Sequence, residues 1–185
     1  KPRLTLVHGW AMNQKVFTPL ADELGENFGL HLIELSGHGG QPYTGAGFEA
    51  EVERLARQIP DSVLVAWSMG GLYAVELARR YPERFSGLVL LASNPCFVQR
   101  DDWPCAVDVG VFQAFSEGLI TDWQATIKRF IGLQLKGVEQ SRQLIREATQ
   151  ILLEGGAPDP RALVEGLQLL QRRDARTDLQ QLKQP

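Results

Sequence analysis

The sequence predicts an α/β fold: a mostly parallel sheet between helices, followed by a helical insertion. Two patterns carry this expectation. Over residues 1–94, short, near-continuous apolar runs alternate with stretches of helical period, as strands buried on both faces alternate with their crossover helices. After about Asn94 no further strand is convincing, and apolar stripes recur only at helical spacing.

The elements follow in order. Leu4-Thr5-Leu6-Val7 is a strand that ends at His8-Gly9-Trp10. Phe17, Leu20, Ala21 and Leu24 recur at helical spacing. Leu30–Leu35 is a second strand, broken by Ser36-Gly37-His38-Gly39-Gly40. Phe48, Val52, Leu55 and Ile59 make one face of a helix that Pro60 ends. Val63–Trp67 is a third strand, residues 69–81 a helix closed by Pro82, and Leu88–Ala92 a fourth strand. Beyond it, Thr121-x-x-Gln124 resembles a capping box ahead of the stripe Trp123, Ile127, Phe130 and Ile131. Leu144, Ala148 and Ile151 form another stripe. Asp159 should cap a last helix with Pro160 at its first position and Leu163, Leu167 and Leu170 inward. The division expected is therefore a core over 1–94, a helical lid over 95–180, and a return to the core at 181–185.

Composition narrows the function classes. The chain has 185 residues, 44% of them hydrophobic and 22% charged, which suits one globular domain with an inserted subdomain. Lys+Arg 19 against Asp+Glu 22 gives a net charge of −3, so no basic excess points to nucleic acid. No apolar run reaches the roughly 18 residues of a membrane span, and no secretory signal is visible in these residues. Cys96 and Cys105 form no metal set and read as reduced thiols, so a cytoplasmic protein without a metal is expected.

The chemistry centres on Val65-Ala66-Trp67-Ser68-Met69-Gly70-Gly71. An apolar strand runs into a serine flanked by small residues, and a helix follows at once. That is the context of a nucleophile elbow. The serine must sit on a sharp turn with its oxygen exposed. Small neighbours let strand and helix approach, and the helix N-terminus favours a developing oxyanion. Ala66 stands where glycine is usual. His8-Gly9-Trp10 follows the first strand, where such folds place the second oxyanion donor, so the backbone N–H groups of Trp10 and Met69 are the candidate donors.

His8-Gly9-Trp10, Leu35-Ser36-Gly37-His38-Gly39, Trp67-Ser68-Met69-Gly70-Gly71 and Tyr81-Pro82-Glu83-Arg84 resemble α/β-hydrolase motifs in family order. Ser93-Asn94-Pro95-Cys96-Phe97, Arg100-Asp101-Asp102-Trp103-Pro104 and Arg129-Phe130-Ile131-Gly132-Leu133-Gln134 narrow the resemblance to the pimeloyl-[acyl-carrier protein] methyl ester esterase family, the carboxylesterases of biotin synthesis. The resemblance covers nearly the whole chain. It implies an α/β-hydrolase fold with Ser68 as nucleophile, and Trp10 and Met69 at the ester. It places Phe130, Ile131, Gly132, Leu133 and Gln134 along an acyl channel. It implies no cofactor, an acyl carrier protein as partner, and a monomer.

The triad of this superfamily runs Ser, Asp, His along the chain. The histidines here are His8, His31 and His38, all upstream of Ser68. The expectation is that the chain stops short of the last strands and begins after a missing hairpin, so that this chain alone is inactive. His38 lies at a strand end where a base could sit, but the order favours a local structural role for it and for His8 and His31. Asp174 and Asp178 are not assigned as catalytic. A generic short-chain esterase or thioesterase, or a noncatalytic acyl-binding fragment, are the alternatives.

Residues 125–150 carry Lys128, Arg129, Lys136, Arg142 and Arg146 against Glu139 and Glu147. Arg142 and Arg146 share a helix face opposite Leu144, Ala148 and Ile151. By itself this reads as a solvated face. The resemblance makes Arg129, Arg142 and Arg146 a dock for the acidic carrier protein, weakened by Ala125 where the family has another basic residue. Trp103, Phe112, Phe115 and Trp123 are lid aromatics, either core or pocket wall.

Overall fold

The computed structural model describes residues 1–185. Its core elements are β1 (Arg3–Val7), a 3-10 turn (Gln14–Phe17), α1 (Thr18–Leu24), β2 (Gly29–Ile33), α2 (Gly47–Gln58), β3 (Ser62–Trp67), α3 (Gly70–Arg80) and β4 (Phe85–Leu91). The helices α4 (Val109–Thr121), α5 (Trp123–Gln134), α6 (Ser141–Glu154), α7 (Pro160–Arg172) and α8 (Arg176–Gln180) follow. The four strands form one parallel sheet in the order β2-β1-β3-β4.

Alternation along β1 assigns the two faces. Leu4 and Leu6 pack with Phe17 and Val65 on the α1 side. Val7 points the other way and joins Val52, Leu55, Leu64, Leu72 and Leu77 beneath α2 and α3. Every residue of α3 from Gly70 to Ala78 is buried, as a helix pressed between sheet and neighbours must be. The core on that side continues without a break into Phe112, Phe115, Ile127, Leu163 and Leu167, so the helices after β4 and the sheet share one hydrophobic interior.

A buried carboxylate ties the end of α7 to the sheet layer. Glu76 of α3 is 1% exposed and accepts from Arg79, Arg80 and Arg173. Arg173, just past α7, donates to Glu76 at 2.9 Å and to Asp178 of α8 at 2.8 Å. A buried charge persists when it is paired and hydrogen-bonded, and three guanidinium groups meet that need.

Two expectations shift in detail. The capping box at Thr121 does not form. Thr121 ends α4 and donates to the Glu117 carbonyl, while Asp122 caps α5 by accepting from Ala125 N–H at 3.0 Å. A carboxylate, charged and short, is the better acceptor for orphan N–H groups. β4 begins at Phe85, three residues before the apolar run at Leu88, because backbone pairing with Ser62 extends it past the polar Ser86 and Gly87. Asp159 caps α7 as expected, accepting from Arg161 N–H at 2.9 Å with Pro160 at the first position.

Candidate active site

Ser68 stands between β3 and α3, with φ at +53°. A non-glycine residue in the left-handed region is uncommon and signals a turn held by its surroundings. The glycines explain how the turn closes. A Cβ on Gly70 would lie 2.5 Å from the Val7 carbonyl oxygen and 2.6 Å from that of His8. A Cβ on Gly9 would lie 3.0 Å from the Ser68 Cβ. The start of α3 thus rests directly on the end of β1, which only side-chain-free positions allow.

Trp10 and Met69 are both buried, at 1% and 2% exposure, and flank the serine from β1 and α3. Neither backbone N–H donates to another group of the chain. Buried backbone donors are nearly always paired, so two free ones beside one serine point to a ligand oxygen. The loop that carries Trp10 is held from three sides. His8, fully buried, donates from Nδ1 to the Gly9 carbonyl at 2.8 Å and accepts Leu35 N–H at Nε2 at 3.1 Å. Glu34 Oε2 lies 3.2 Å from the same Nε2. The Trp10 indole donates to the Leu163 carbonyl of α7 at 2.9 Å. Asn13 donates to the last carbonyls of α6, Ile151 at 3.1 Å and Leu152 at 3.3 Å.

None of the three histidines hydrogen-bonds to Ser68, and Nε2 of His31 and of His38 is buried without a partner. His8 is bracketed as described. His38 is 2% exposed, its Nδ1 donates to the Ser36 carbonyl, and its ring packs 5.3 Å from that of His8. Burial pushes its pKa down to about 3, so it is a neutral ring. His31 sits in β2 opposite Thr5, which is level with Leu64 in β3, well short of Ser68 and on the far side of β1. Asp174 is engaged by Arg176, whose hydrogen bonds hold its carboxyl below the usual range, and Asp178 by Arg173.

The five residues expected along an acyl channel do not share one wall. Phe130 packs edge-on against the Trp10 ring at 4.8 Å and against Phe115 at 5.6 Å. Ile131 is buried in the core, Gly132 faces Ile145 of α6, and Leu133 and Gln134 are exposed. Five consecutive helical residues span more than one turn, so they point in all directions. Arg129, Arg142 and Arg146 are exposed; Arg142 and Arg146 form no ion pair, and Arg129 lies over the Phe115 ring. Of the aromatics, Phe112 and Phe115 are core, while Trp103 is half-buried and donates to the Cys96 carbonyl. The larger cavities lie elsewhere; one of about 470 Å³ opens between the end of α4 and α7, lined by Tyr43, Ile120, Arg161 and Val164. No side-chain cluster could hold a metal ion.

The sheet order, the elbow and the paired free N–H groups define an α/β hydrolase, and the alpha/beta hydrolase family matches residues 6–183. Solved structures agree on the fold. An esterase from Exiguobacterium antarcticum superposes with a TM-score of 0.86 at 21% identity, over all of this chain and 71% of that one. A thermophilic esterase from Thermogutta terrifontis does so with a TM-score of 0.76 at 23% identity, over all of this chain and 69% of that one. Sequence relatives are more specific. The pimeloyl-[acyl-carrier protein] methyl ester esterase of Stenotrophomonas maltophilia strain K279a is 41% identical over all of this chain and 71% of its own length. The protein of that name from Nitrosomonas europaea is 37% identical over all of this chain and 74% of its own length. The chain belongs to the alpha/beta hydrolase family and, within it, to the pimeloyl-[acyl-carrier protein] methyl ester esterases.

Reasoning from sequence missed the contacts of Asn13, of Glu34 and of Ser93, whose Oγ donates to the Ser68 carbonyl at 2.7 Å. Asn13 and Glu34 act through contacts remote in the chain and leave no local pattern. Ser93 had one signal, the second glycine of the elbow, Gly71.

Proposed function

We propose that this protein hydrolyses the methyl ester of a pimeloyl chain carried on acyl carrier protein, with Ser68 as the nucleophile. The observation that carries the reading is Ser68 at positive φ between two buried, unengaged N–H groups. In this reading Ser68 Oγ attacks the ester carbonyl carbon. The N–H groups of Trp10 and Met69 receive the oxygen as it gains negative charge. Methanol leaves, and water releases the acyl group from the serine as a carboxylate. The Ser68 proton passes in this reading to a base that these three histidines do not supply: His8 is engaged at both ring nitrogens, His38 is a buried neutral ring and His31 lies on the far side of β1.

The acyl chain runs along α5 in this reading. Phe130, beside Trp10, is its inner contact, and Gln134 is one turn further out on the same face. Ile131, Gly132 and Leu133 shape the helix around that face. Arg129, Arg142 and Arg146 receive the acidic carrier protein, acting on encounter more than on the bound ester. No helix is long and apolar enough to cross a membrane.

The test compares the protein expressed from its whole reading frame with its Ser68→Ala variant on methyl pimeloyl thioester. Loss of turnover with an unchanged circular dichroism spectrum is expected, since a small exchange at a half-exposed turn removes no core packing. Near-parental turnover in the alanine variant would sink the reading. Residues 1–185 alone should hydrolyse p-nitrophenyl butyrate no faster than the same residues with Ser68→Ala, because a serine without a base is a poor nucleophile.

A further inference from the structure

We propose that Ser93 is a positioning residue that aims the Met69 N–H at the reacting oxygen. The inference rests on Ser68 being the nucleophile. The Met69 N–H belongs to the peptide group whose carbonyl is that of Ser68. A trans peptide is planar, with N–H and C=O pointing to opposite sides. Whatever holds the Ser68 carbonyl therefore sets the direction of the Met69 N–H. Ser93 Oγ donates to that carbonyl at 2.7 Å. The Gly71 N–H adds a turn bond at 3.0 Å.

Two independent features of the chain serve this contact. A Cβ on Gly71 would lie 2.1 Å from Ser93 Oγ and 2.8 Å from its Cβ, so the second glycine of the elbow leaves the room that the hydroxyl occupies. Ala92, just before Ser93, has φ at +45°, a left-handed turn at the exit of β4. That turn swings Ser93 back over the neighbouring strand's end. Meanwhile the Leu91 carbonyl accepts the Ser68 N–H at 3.0 Å. The end of β4 thus grips both backbone polar groups of the serine.

The other donor is held in the same way. Trp10 N–H shares its peptide with the Gly9 carbonyl, and His8 Nδ1 donates to that carbonyl at 2.8 Å. Each proposed oxyanion donor has a side-chain donor clamping the opposite edge of its peptide. Such a bond also polarises the peptide and strengthens its N–H as a donor. Ser93 need not touch the substrate. Its effect belongs to the transition state, where the oxygen carries charge and the angle of the N–H matters most.

The experiment uses protein from the whole reading frame and four variants: Ser93→Ala, Ser93→Thr, Gly71→Ala and Ser68→Ala. Deleting an oxyanion donor outright costs about 10²–10³ in kcat, and a loosened one should cost less, about tenfold. For Ser93→Ala the expected result is a kcat about tenfold lower with KM within about twofold, the pattern of an interaction made only in the transition state. Affinity for an alkyl boronate, which forms a tetrahedral anion on the serine, should fall by the same factor. Ser93→Thr keeps the hydroxyl and should restore most of kcat. Gly71→Ala, whose Cβ would take the hydroxyl's place, should reproduce the loss. Ser93→Ala with kcat within twofold of the parent, while Ser68→Ala is inactive, overturns the inference. So does a loss carried by KM alone, which would make Ser93 a substrate contact. An active Ser68→Ala would instead remove the nucleophile reading, and this inference with it.

Discussion

Replacing Gly70 by alanine should destabilise the chain although alanine is the better helix former. The new Cβ would meet the Val7 oxygen at 2.5 Å, the His8 oxygen at 2.6 Å and the Val7 carbonyl carbon at 3.0 Å. Each oxygen contact is about 0.7 Å inside a comfortable carbon–oxygen separation, a close-packing violation that the interior cannot absorb freely. The obstacles are main chain of β1, which is paired on both sides by β2 and β3 and cannot rotate away. So α3 must move outward. Overpacking of this kind costs about 1–3 kcal/mol, and rigid obstacles place Gly70 at the upper end. Alanine returns at most about 1 kcal/mol of helix propensity. The net expectation is about 2 kcal/mol of lost stability. For a chain of this size that lowers Tm by roughly 4–8 °C. Gly132→Ala provides the opposite sign in the same background. Its nearest neighbour would be Ile145 Cδ1 at 3.8 Å, ordinary contact, inside α5. It should gain about 0.5–1 kcal/mol. Urea unfolding followed by tryptophan fluorescence reads both, as shifts of midpoint at constant slope. Equal stabilities for Gly70→Ala and the parent would show that the elbow does not depend on contact with β1.

Three further outcomes follow from the same geometry. His38 titrates near 3 in the folded chain and near 6.5 when unfolded, so only the unfolded state binds its proton between those values. Stability is therefore full above pH 6.5 and falls as pH drops toward 3, by about 2 kcal/mol at pH 5; His38→Gln should flatten that slope by about one proton in urea titrations, and an unchanged slope would refute the assignment. Asn13→Ala removes two donors to α6 and the Oδ1 cap on Lys15 N–H at 3.0 Å, all from a fully buried residue. It should cost about 2–3 kcal/mol and speed amide exchange at the end of α6 while leaving α3 protected; unchanged exchange there would mean that the tie carries no load. Arg142→Glu with Arg146→Glu, in protein from the whole reading frame, should lower kcat/KM on the carrier-bound ester and spare a small free ester, with the loss shrinking at high salt. Equal losses on both substrates would make the arginines structural.

What the sequence disclosed and what it hid divide along contact range. Strands β1, β2 and β3 and helices α2, α3 and α7 show in the sequence because each depends on its own residues' apolar spacing, a cap or a proline. The register of β4 at Phe85 depends on a partner strand and does not show. Helix α4 carries its cap at Asp108 and buries Phe112 and Phe115, yet its apolar residues spread around the helix and leave no clean stripe. At the site, Ser68, Met69 and Trp10 are legible because the elbow and the loop after β1 demand small residues at fixed offsets. Ser93 reaches Ser68 across 25 residues and Asn13 reaches α6 across 138, so neither contact produces a periodicity or a motif.

The hidden residues have something in common that the backbone reveals. Non-glycine residues with positive φ are Ala11, Ser68, Ala92 and Gln140. The first three follow the exits of β1, β3 and β4, at the carboxyl end of the parallel sheet; Gln140 lies apart, before α6. Each such residue costs of order 1–3 kcal/mol and persists only where its surroundings leave no alternative. For Ser68 those surroundings are the Leu91 carbonyl, the Ser93 hydroxyl and the contact of Gly70 with β1. For Ala11 they are the Trp10 bond to α7 and the Asn13 bonds to α6. The direction of the two free N–H groups is therefore not a local property of the two loops that display them. The end of β4 holds one of them; His8, together with the contacts of Trp10 and Asn13 to α7 and α6, holds the other. Substitutions in the lid that touch neither Ser68 nor substrate should accordingly act through the Trp10 N–H, and substitutions at the exit of β4 through that of Met69.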